Sequence, residues 1–246
     1  MNQRHILVIG ATSAIAEWAA RRLAARGHSL ALAGRDRERL EDVAADLRNR
    51  GASHCSVHPF NAERPDTIPD IFENAAGRRP VTDVLIAHAV PQPSSWPGEP
   101  GLQRYIRVNT TSAIACMHAA AEHMAGHPGG GLIAWLSSPA ALRGRRKNWL
   151  YGATKAAGDI ALEGIGGQYR EQGVRTLLLR PGPTRTAFNA GLEPAASWAE
   201  PQTVGERIGD LMHARKGGEH FIPRAWWLPA TILRHMPTWL LSRLKG

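Results

Sequence analysis

Residues 6–16 have the sequence ILVIGATSAIA, in which four apolar residues run into Gly10 and then into a series of small residues. A short apolar run that ends at a glycine is typical of a buried strand. The residues that follow have the spacing of an amphipathic helix to about residue 26. The stretch therefore predicts a strand, a tight turn and a helix.

The same alternation continues along the chain. Strand patterns recur at 30–33, 54–58, 84–86, 132–136 and 174–179, and helical patterns at 36–50, 66–76, 102–125 and 150–171. Strands that alternate with helices are joined by right-handed crossovers, which give a parallel sheet covered on both faces. The predicted fold is therefore α/β, a single Rossmann-like doubly wound parallel sheet in one domain at 1–246.

The composition restricts the class of protein. The 246 residues are 43% hydrophobic and 21% charged, which excludes a disordered tail, and two cysteines are too few for a disulfide scaffold. The opening apolar run is too short for a signal peptide, so we expect a cytoplasmic protein. The net charge of +9 favours an anionic partner, which could be nucleotide phosphate, nucleic acid or acidic lipid.

Two segments interrupt the alternation, at 91–101 and 183–201. Both are rich in proline, serine and glycine, and they carry Trp96 and Trp198. Long irregular segments after strand ends commonly form lids over a site, although some are plain surface excursions. Because ligands of such sheets bind at the carboxyl ends of the strands, we expect a substrate to lie between these segments.

Two positions bear on nucleotide binding. The turn at Gly10 precedes a helix N-terminus, where a dinucleotide pyrophosphate would bind, although small residues there also permit close helix-strand packing. The next strand ends at Gly34 and Arg35, where an NAD site normally places an acidic residue on the ribose 2′-hydroxyl. Unless Arg35 is simply a solvated side chain, an arginine at this position favours the 2′-phosphate of NADP.

Four polar residues form a catalytic pattern. Tyr151 and Lys155 are one turn apart on a predicted helix and so share a face. Ser138 follows an apolar strand thirteen residues before Tyr151, and Asn109 lies within the preceding long helix. Tyr151 and Lys155 alone are weak evidence for a catalytic site. The four residues together are much more specific evidence for one.

With these residues the chain resembles the short-chain dehydrogenase/reductase superfamily over essentially its whole length. The segments that carry the resemblance are the strand and turn at Gly10, Val108-Asn109, Ser138, Tyr151 with Lys155, and RPGPTRT at 180–186. The resemblance implies an oxidoreductase that uses NADPH to reduce a ketone to a secondary alcohol.

The resemblance also implies a role for each residue. Ser138 orients the carbonyl oxygen and Tyr151 donates the proton. Lys155 also holds the nicotinamide ribose, and Asn109 fixes a water for proton relay. The implied cofactor contacts are Gly10, Thr12, Ser13, Ile15, Arg35, Asn61, Ala87, Tyr151, Lys155, Pro181, Gly182, Thr184 and Thr186.

A tyrosine needs help to act as an acid near neutral pH. A lysine ammonium about 4 Å away, at an effective dielectric near 20, attracts the phenolate by roughly 4 kcal/mol. We therefore predict that Lys155 lowers the pKa of Tyr151 to about neutrality.

Within the superfamily the chain looks most similar to bacterial reductases resembling decaprenylphosphoryl-β-D-erythro-pentofuranosid-2-ulose 2-reductase. The segments behind this similarity are GATSAIA at 10–16, IAH at 86–88, RGR at 143–145 and FIPRAW at 221–226. It implies a lipid-linked keto-sugar as substrate. Ketones on acyl chains, polyketides or steroids stay open as alternatives.

Some positions depart from the superfamily. Ala14 and Ala16 replace its usual glycines, AHAV at 87–90 replaces Asn-Asn-Ala-Gly, and Asn61 replaces an aspartate that commonly contacts the adenine. These departures motivate a rival function, a nucleotide-sensing or scaffold protein without turnover. Retention of all four catalytic residues argues against the rival, because a sensor does not need the acid.

Other polar clusters have simpler explanations. His54 with His58 and His123 with His127 are spaced one turn apart, but no Glu or Cys accompanies them, so we predict no metal site. The basic segment RGRRK at 143–147 lacks interleaved aromatic residues, so we predict no nucleic-acid binding. It is either a solvated loop or an anion site beside the catalytic residues.

Two surfaces predict partners. Small residues recur along the helix that Tyr151 opens, and the superfamily resemblance implies pairing through it, so we expect a homodimer or homotetramer. The segment at about 225–244 is amphipathic, with apolar residues at helical spacing and Trp226, Trp227 and Trp239 nearby. It either packs on the protein or makes peripheral contact with an anionic membrane.

Overall fold

The computed structural model describes residues 3–77, 79–190, 193 and 195–241. In this part of the chain seven strands form one wholly parallel sheet in the order β3-β2-β1-β4-β5-β6-β7. The strands are β1 His5–Ile9, β2 Ser29–Gly34, β3 His54–Pro59, β4 Asp83–Ile86, β5 Gly131–Leu136, β6 Val174–Pro181 and β7 Gly218–Ile222. The predicted doubly wound parallel sheet is confirmed.

Helices cover both faces of the sheet. They are α1 Ala14–Ala24, α2 Arg37–Asn49, α3 Ile68–Ala76, α4 Gly98–Ile106, α5 Ser112–Met124, α6 Trp149–Gln168, α7 Pro201–His213, α8 Trp227–His235 and α9 Thr238–Leu241. Successive side chains of a strand point to opposite faces, and every residue of β1 is buried. Ile6 and Val8 therefore pack with α1, α2 and α7, while Leu7 and Ile9 pack with α3, α5 and α6.

The single long helix predicted at 102–125 is wrong in detail. The structure has α4, a wide π-helical turn at Arg107–Thr111 and then α5. Asn109 lies in that turn and its side chain bonds to Val90, with Oδ1 accepting from the backbone N–H at 2.8 Å and Nδ2 donating to the carbonyl at 3.0 Å. The wide turn thus brings a buried amide against the loop that follows β4.

The sequence patterns also predicted that the core of the fold ends at residue 179, which is too early. The structure adds α7, which packs against α1, and the edge strand β7 beside β6. In β7 only Phe221 and Ile222 are buried, so its apolar signal is weak. Between β6 and α7, the described residues 183–190, 193 and 195–200 are irregular apart from a short 3-10 turn at Ala187–Asn189 and one bridge between Thr184 and Ala199.

The described part of the C-terminal segment forms two short helices, α8 and α9, which are separated at Pro237. Arg143 donates to the carbonyl of Met236 at 3.0 Å, which ties this segment to the loop after β5. Ile232 is 54% exposed and Trp239 is 63% exposed, so the predicted apolar stripe is only partly packed on the protein. Its final residues, 242–244, lie outside the described part. Among the described helices, none is both long and apolar enough to span a membrane.

Candidate active site

A cleft of about 1670 Å³ opens at the carboxyl ends of the central strands, where a parallel sheet of this topology binds its ligands. Ser138, Tyr151 and Lys155 line it. All thirteen residues expected to contact a cofactor line it as well, from Gly10 to Thr186. Asn109 does not: it lies behind the cleft wall, and its role in holding a water stays a prediction.

The first wall of the cleft is the turn between β1 and α1. Gly10 has a φ of +81°, and a Cβ there would lie 2.7 Å from the backbone nitrogen of His88. Only glycine therefore allows β1 and the loop after β4 to approach this closely. Ser13 precedes α1 without capping it, so its hydroxyl and the first N–H groups of α1 are available to an anion in the cleft.

Two arginines stand at the end of β2. Arg35 is exposed and lines the cleft, and it makes no ion pair with any described residue. Arg39 lies one turn further on and donates to Glu17 at 3.1 Å. A phosphate bound beside β2 would meet the guanidinium of Arg35.

Tyr151 and Lys155 share the inner face of α6, as their spacing predicted. Lys155 is 2% exposed; its Nζ donates to the carbonyl of Leu136 at 2.8 Å and lies 3.8 Å from the ring centre of Trp135. The same Nζ is 5.8 Å from the ring centre of Tyr151. The lysine is therefore held by β5, with the phenol ring near the outer limit of cation-π distance.

The predicted pKa of Tyr151 is wrong. Burial raises the pKa of Tyr151 well above its ordinary value, and burial lowers the pKa of Lys155 to about 7. Removal from water disfavours the charged form of each group, and the neighbouring Tyr105 and Asp159 raise the pKa of Tyr151 further. Tyr151 consequently stays a neutral phenol, the state that can donate a proton.

Ser138 is positioned by the 3-10 turn that follows β5. Its Oγ accepts from the N–H of Ala140 at 3.1 Å, which leaves the hydroxyl proton for a ligand. Its carbonyl accepts from Arg180 at 3.1 Å. Both contacts fix the hydroxyl at the cleft beside α6.

A buried ionic cluster supports this wall, and sequence reasoning missed it. Arg180 is 4% exposed and donates to Asp159 at 2.7 Å and to Glu219. Asp159 lies one turn after Lys155 on α6 and also accepts from the indole of Trp135 at 3.0 Å. The cluster links β5, β6, β7 and α6 directly beneath the catalytic residues.

The loop after β4 is joined to the start of α6 by Gln92, another residue that the sequence patterns did not single out. Its Oε1 accepts from the N–H of Tyr151 at 3.1 Å and its Nε2 donates to the carbonyl of Lys147 at 2.8 Å. The side chain thereby caps the first turn of α6 and fixes the backbone of Tyr151.

The substrate end of the cleft has aromatic walls. Phe188 packs against the ring of Tyr151 at 5.4 Å, and Trp198 and Trp226 also line the cleft. Trp226 lies against the backbone of Gly182, where a Cβ would come within 2.3 Å of the indole nitrogen. Trp96 lies outside the cleft and stacks on Trp149 at 6.4 Å.

Among the residues that the structure describes, neither histidine pair belongs to a group of three or more His, Cys, Asp or Glu that could hold an ion. His123 instead accepts from the N–H of Val81 at 3.2 Å, and His58 bonds to Ser56 at 2.8 Å. Both have local structural partners.

Comparisons with known proteins agree with this geometry. A family model described as short chain dehydrogenase matches residues 4–197. An uncharacterized oxidoreductase of Streptomyces coelicolor is 32% identical over 248 residues, covering 98% of this chain and 96% of its own. One of Mycobacterium tuberculosis strain H37Rv is 31% identical over 259 residues, covering 97% and 96%.

Solved structures show the same fold. A short-chain dehydrogenase from Sphingobium yanoikuyae in complex with NADPH has a TM-score of 0.79 at 23% identity, over 99% of this chain and 97% of its own. A short chain dehydrogenase from Burkholderia cenocepacia J2315 in complex with NADP has a TM-score of 0.81 at 19% identity, over 100% and 98%.

Proposed function

The chain belongs to the short-chain dehydrogenase family, and from that premise we propose that it reduces a ketone to a secondary alcohol with NADPH. The observation that carries the proposal is the shared cleft. Ser138, Tyr151 and Lys155 line the same cavity as the turn at Gly10 and the guanidinium of Arg35.

The residues present fit NADPH. The open hydroxyls of Thr12 and Ser13 and the N-terminus of α1 suit a pyrophosphate, and Arg35 suits the 2′-phosphate. The last position of β2, where an acidic residue would repel that phosphate, is Gly34, and Arg35 follows it. Lys155 would hold the nicotinamide ribose. When bound, NADPH supplies the hydride that the carbonyl carbon receives.

The protein's own side chains supply the proton and orient the carbonyl group of the substrate. The Ser138 hydroxyl donates a hydrogen bond to the carbonyl oxygen, and the neutral phenol of Tyr151 transfers its proton to that oxygen as negative charge develops there. Lys155, fixed by Leu136, provides a cationic group near the phenolate that remains.

A panel of cyclic, acyl-chain and sugar ketones tests this function. We expect at least one ketone to be converted to its alcohol with equimolar loss of NADPH. If the protein binds NADPH tightly but converts none of them, the nucleotide-sensing rival is supported instead.

Arg35 predicts the choice of cofactor. We expect NADPH to bind roughly ten- to a hundredfold more tightly than NADH, because a guanidinium-phosphate contact contributes about 1.5–3 kcal/mol. Titration of wild type and Arg35→Ser with both cofactors measures the difference. The preference should largely disappear in the variant, and equal affinities in the wild type would contradict the assignment.

The lipid-linked keto-sugar suggested by the subgroup resemblance is our proposal for the substrate class, and the exposed apolar surface near the cleft supports it. Trp227, Leu228 and Ile232 on α8 are all more than half exposed, and Leu233 of the same helix lines the cleft. A membrane-borne ketone would meet this surface at the entrance to the site.

Peripheral membrane contact through this surface predicts salt-sensitive binding to anionic vesicles, because exposed tryptophans and nearby cations suit the interface of an anionic membrane. Flotation of wild type and of a variant lacking residues 225–246 measures it. Binding should be lost in the variant, and wild type that stays unbound at low salt would rule out membrane contact and leave this segment as packing on the protein.

A homodimer or homotetramer is a further proposal. On the outer face of α6, Ala161 and Gly164 line a surface groove shared with α5, and Ile160 is 72% exposed. A second copy packed there would cover this face. Sedimentation should give a dimer or tetramer at micromolar concentration, and a stable monomer would refute the pairing.

A further inference from the structure

Arg145, on the loop between β5 and α6, is a half-buried cation without a partner among the described residues. Its Nε is enclosed and makes no hydrogen bond, and no described carboxylate lies within ion-pair distance of its guanidinium. Burial also lowers the pKa of Arg145. An enclosed charged group without a partner costs free energy, so it is expected to have one in the functional complex.

Other enclosed arginines show the usual arrangement. Arg4 donates to the carbonyl of Met212 at 2.8 Å and pairs with Asp83, and Arg180 pairs with Asp159. Even Arg143, whose Nε is also enclosed and unbonded, donates through Nη2 to Met236. Arg145 differs because it lines the cleft.

Two neighbours extend the same patch of the cleft wall. Lys147 is exposed and makes no ion pair with a described residue. Asn148 has an enclosed side-chain oxygen without a partner, and it does not cap α6 because Gln92 occupies that place. A half-turn of its amide would present the NH2 donor to a ligand instead. Three polar side chains without partners thus line one wall, close in sequence to Tyr151.

The cleft's acidic residues do not neutralise this patch. Glu17 pairs with Arg21 and Arg39, and Glu63 pairs with Arg104. Glu193 lines the cleft from the loop after β6 and makes no ion pair with Arg145 in the structure. The positive charge of Arg145 and Lys147 therefore remains unpaired in the wall of the cleft.

We propose that the ketone substrate carries an oxyanion, a phosphate ester or a carboxylate, which Arg145 and Lys147 bind beside the reacting carbonyl. The inference rests on the proposed reductase function, because it specifies the substrate of that same site. Arginine binds either oxyanion in a bidentate manner, and lysine adds a second charge.

Matched pairs of ketones test the proposal. One pair is a keto-sugar and its phosphate monoester, and the other is a keto acid and its methyl ester. We expect wild type to favour one anionic member by roughly ten- to a hundredfold in kcat/KM, the range for a charge-assisted contact. The pair with the larger ratio of kcat/KM, phosphate or carboxylate, identifies the anionic group that the substrate carries.

Arg145→Ala should bring that ratio close to unity, whereas Arg146→Ala is the matched control. Arg146 is the next residue, is exposed and does not line the cleft, so its removal should leave the ratio unchanged. NADPH affinity reports that both variants are folded. A wild-type ratio near unity, or an equal loss of the ratio in both variants, would overturn the proposal.

If no ketone is reduced, the reductase function fails and a binding measurement still decides on the anion site. NADPH-saturated protein is titrated with inorganic pyrophosphate in a calorimeter. Saturable binding that weakens at least roughly tenfold in Arg145→Ala would support the site. No binding, or equal binding in the variant, would overturn it.

Discussion

Tyr151→Phe is expected to lower kcat/KM for ketone reduction by roughly 10²–10⁴-fold, the contribution of a positioned general acid. The ring, its contact with Phe188 and the hydrogen bond from its backbone to Gln92 all persist, but the proton donor is gone. The affinity for NADPH should change little. Steady-state NADPH oxidation and equilibrium NADPH titration measure the two effects separately.

Tyr169→Phe is the matched control. Tyr169 lies at the end of α6, buried against His118 and outside the cleft, so loss of its hydroxyl should leave turnover near that of wild type. Activity of the Tyr151→Phe enzyme within roughly tenfold of wild type would show that another group is the acid.

Arg180→Leu is expected to destabilise the protein by about 3–5 kcal/mol, because it leaves Asp159 charged and buried against Trp135. For a chain of this length that corresponds to a fall in Tm of roughly 6–20 °C. The loss of Arg180 destabilises the carboxylate of Glu219 less, because Glu219 is partly exposed and also pairs with Arg234 at 3.2 Å. Thermal unfolding followed by circular dichroism measures the change.

Two further variants distinguish the buried charge from a general loss of packing. Arg185→Leu removes a solvent-exposed ion pair with Glu200 and should cost no more than about 1 kcal/mol. The double variant Arg180→Leu with Asp159→Leu should be more stable than Arg180→Leu alone, because no unpaired charge remains. A Tm for Arg180→Leu equal to that of Arg185→Leu would show that the cluster does not stabilise the wall.

The centre of the sheet could be predicted because β1, β2, β4 and β5 are buried on both faces. These strands and β6 contain short apolar runs in the sequence, the pattern of the edge strand β3 is weak, and the helices between the strands show a helical period. The edge strand β7 was not predicted, because only two of its five residues are buried and its apolar pattern is therefore weak. Helix α7 carries a helical pattern at Val204, Ile208, Leu211 and Met212, which could have been recognised.

The candidate site was predictable where one helix or one turn brings residues together. Tyr151 and Lys155 share a face of α6 by spacing alone, and Gly10 marks the turn after β1. The pKa of Tyr151 was not predictable in this way. It depends on removal from water and on the neighbouring groups Tyr105 and Asp159, which only the folded structure brings close to the phenol.

Contacts between segments that are distant in sequence could not be predicted from local sequence patterns. Arg180 meets Asp159 across 21 positions of the chain and Glu219 across 39, and only the order of strands in the sheet brings these residues together. The same holds for Gln92, which reaches the first turn of α6 across 59 positions.

Hydride transfer in this cleft can be followed directly with NADPH that carries deuterium at the reactive carbon. Wild type, the labelled cofactor and the ketone panel are incubated together, and the alcohols are analysed by mass spectrometry. We expect an alcohol with one cofactor-derived deuterium on the former carbonyl carbon, formed by wild type and Tyr169→Phe but not by Tyr151→Phe. An alcohol without cofactor deuterium, or bound NADPH that passes deuterium to no ketone, would contradict a reductase.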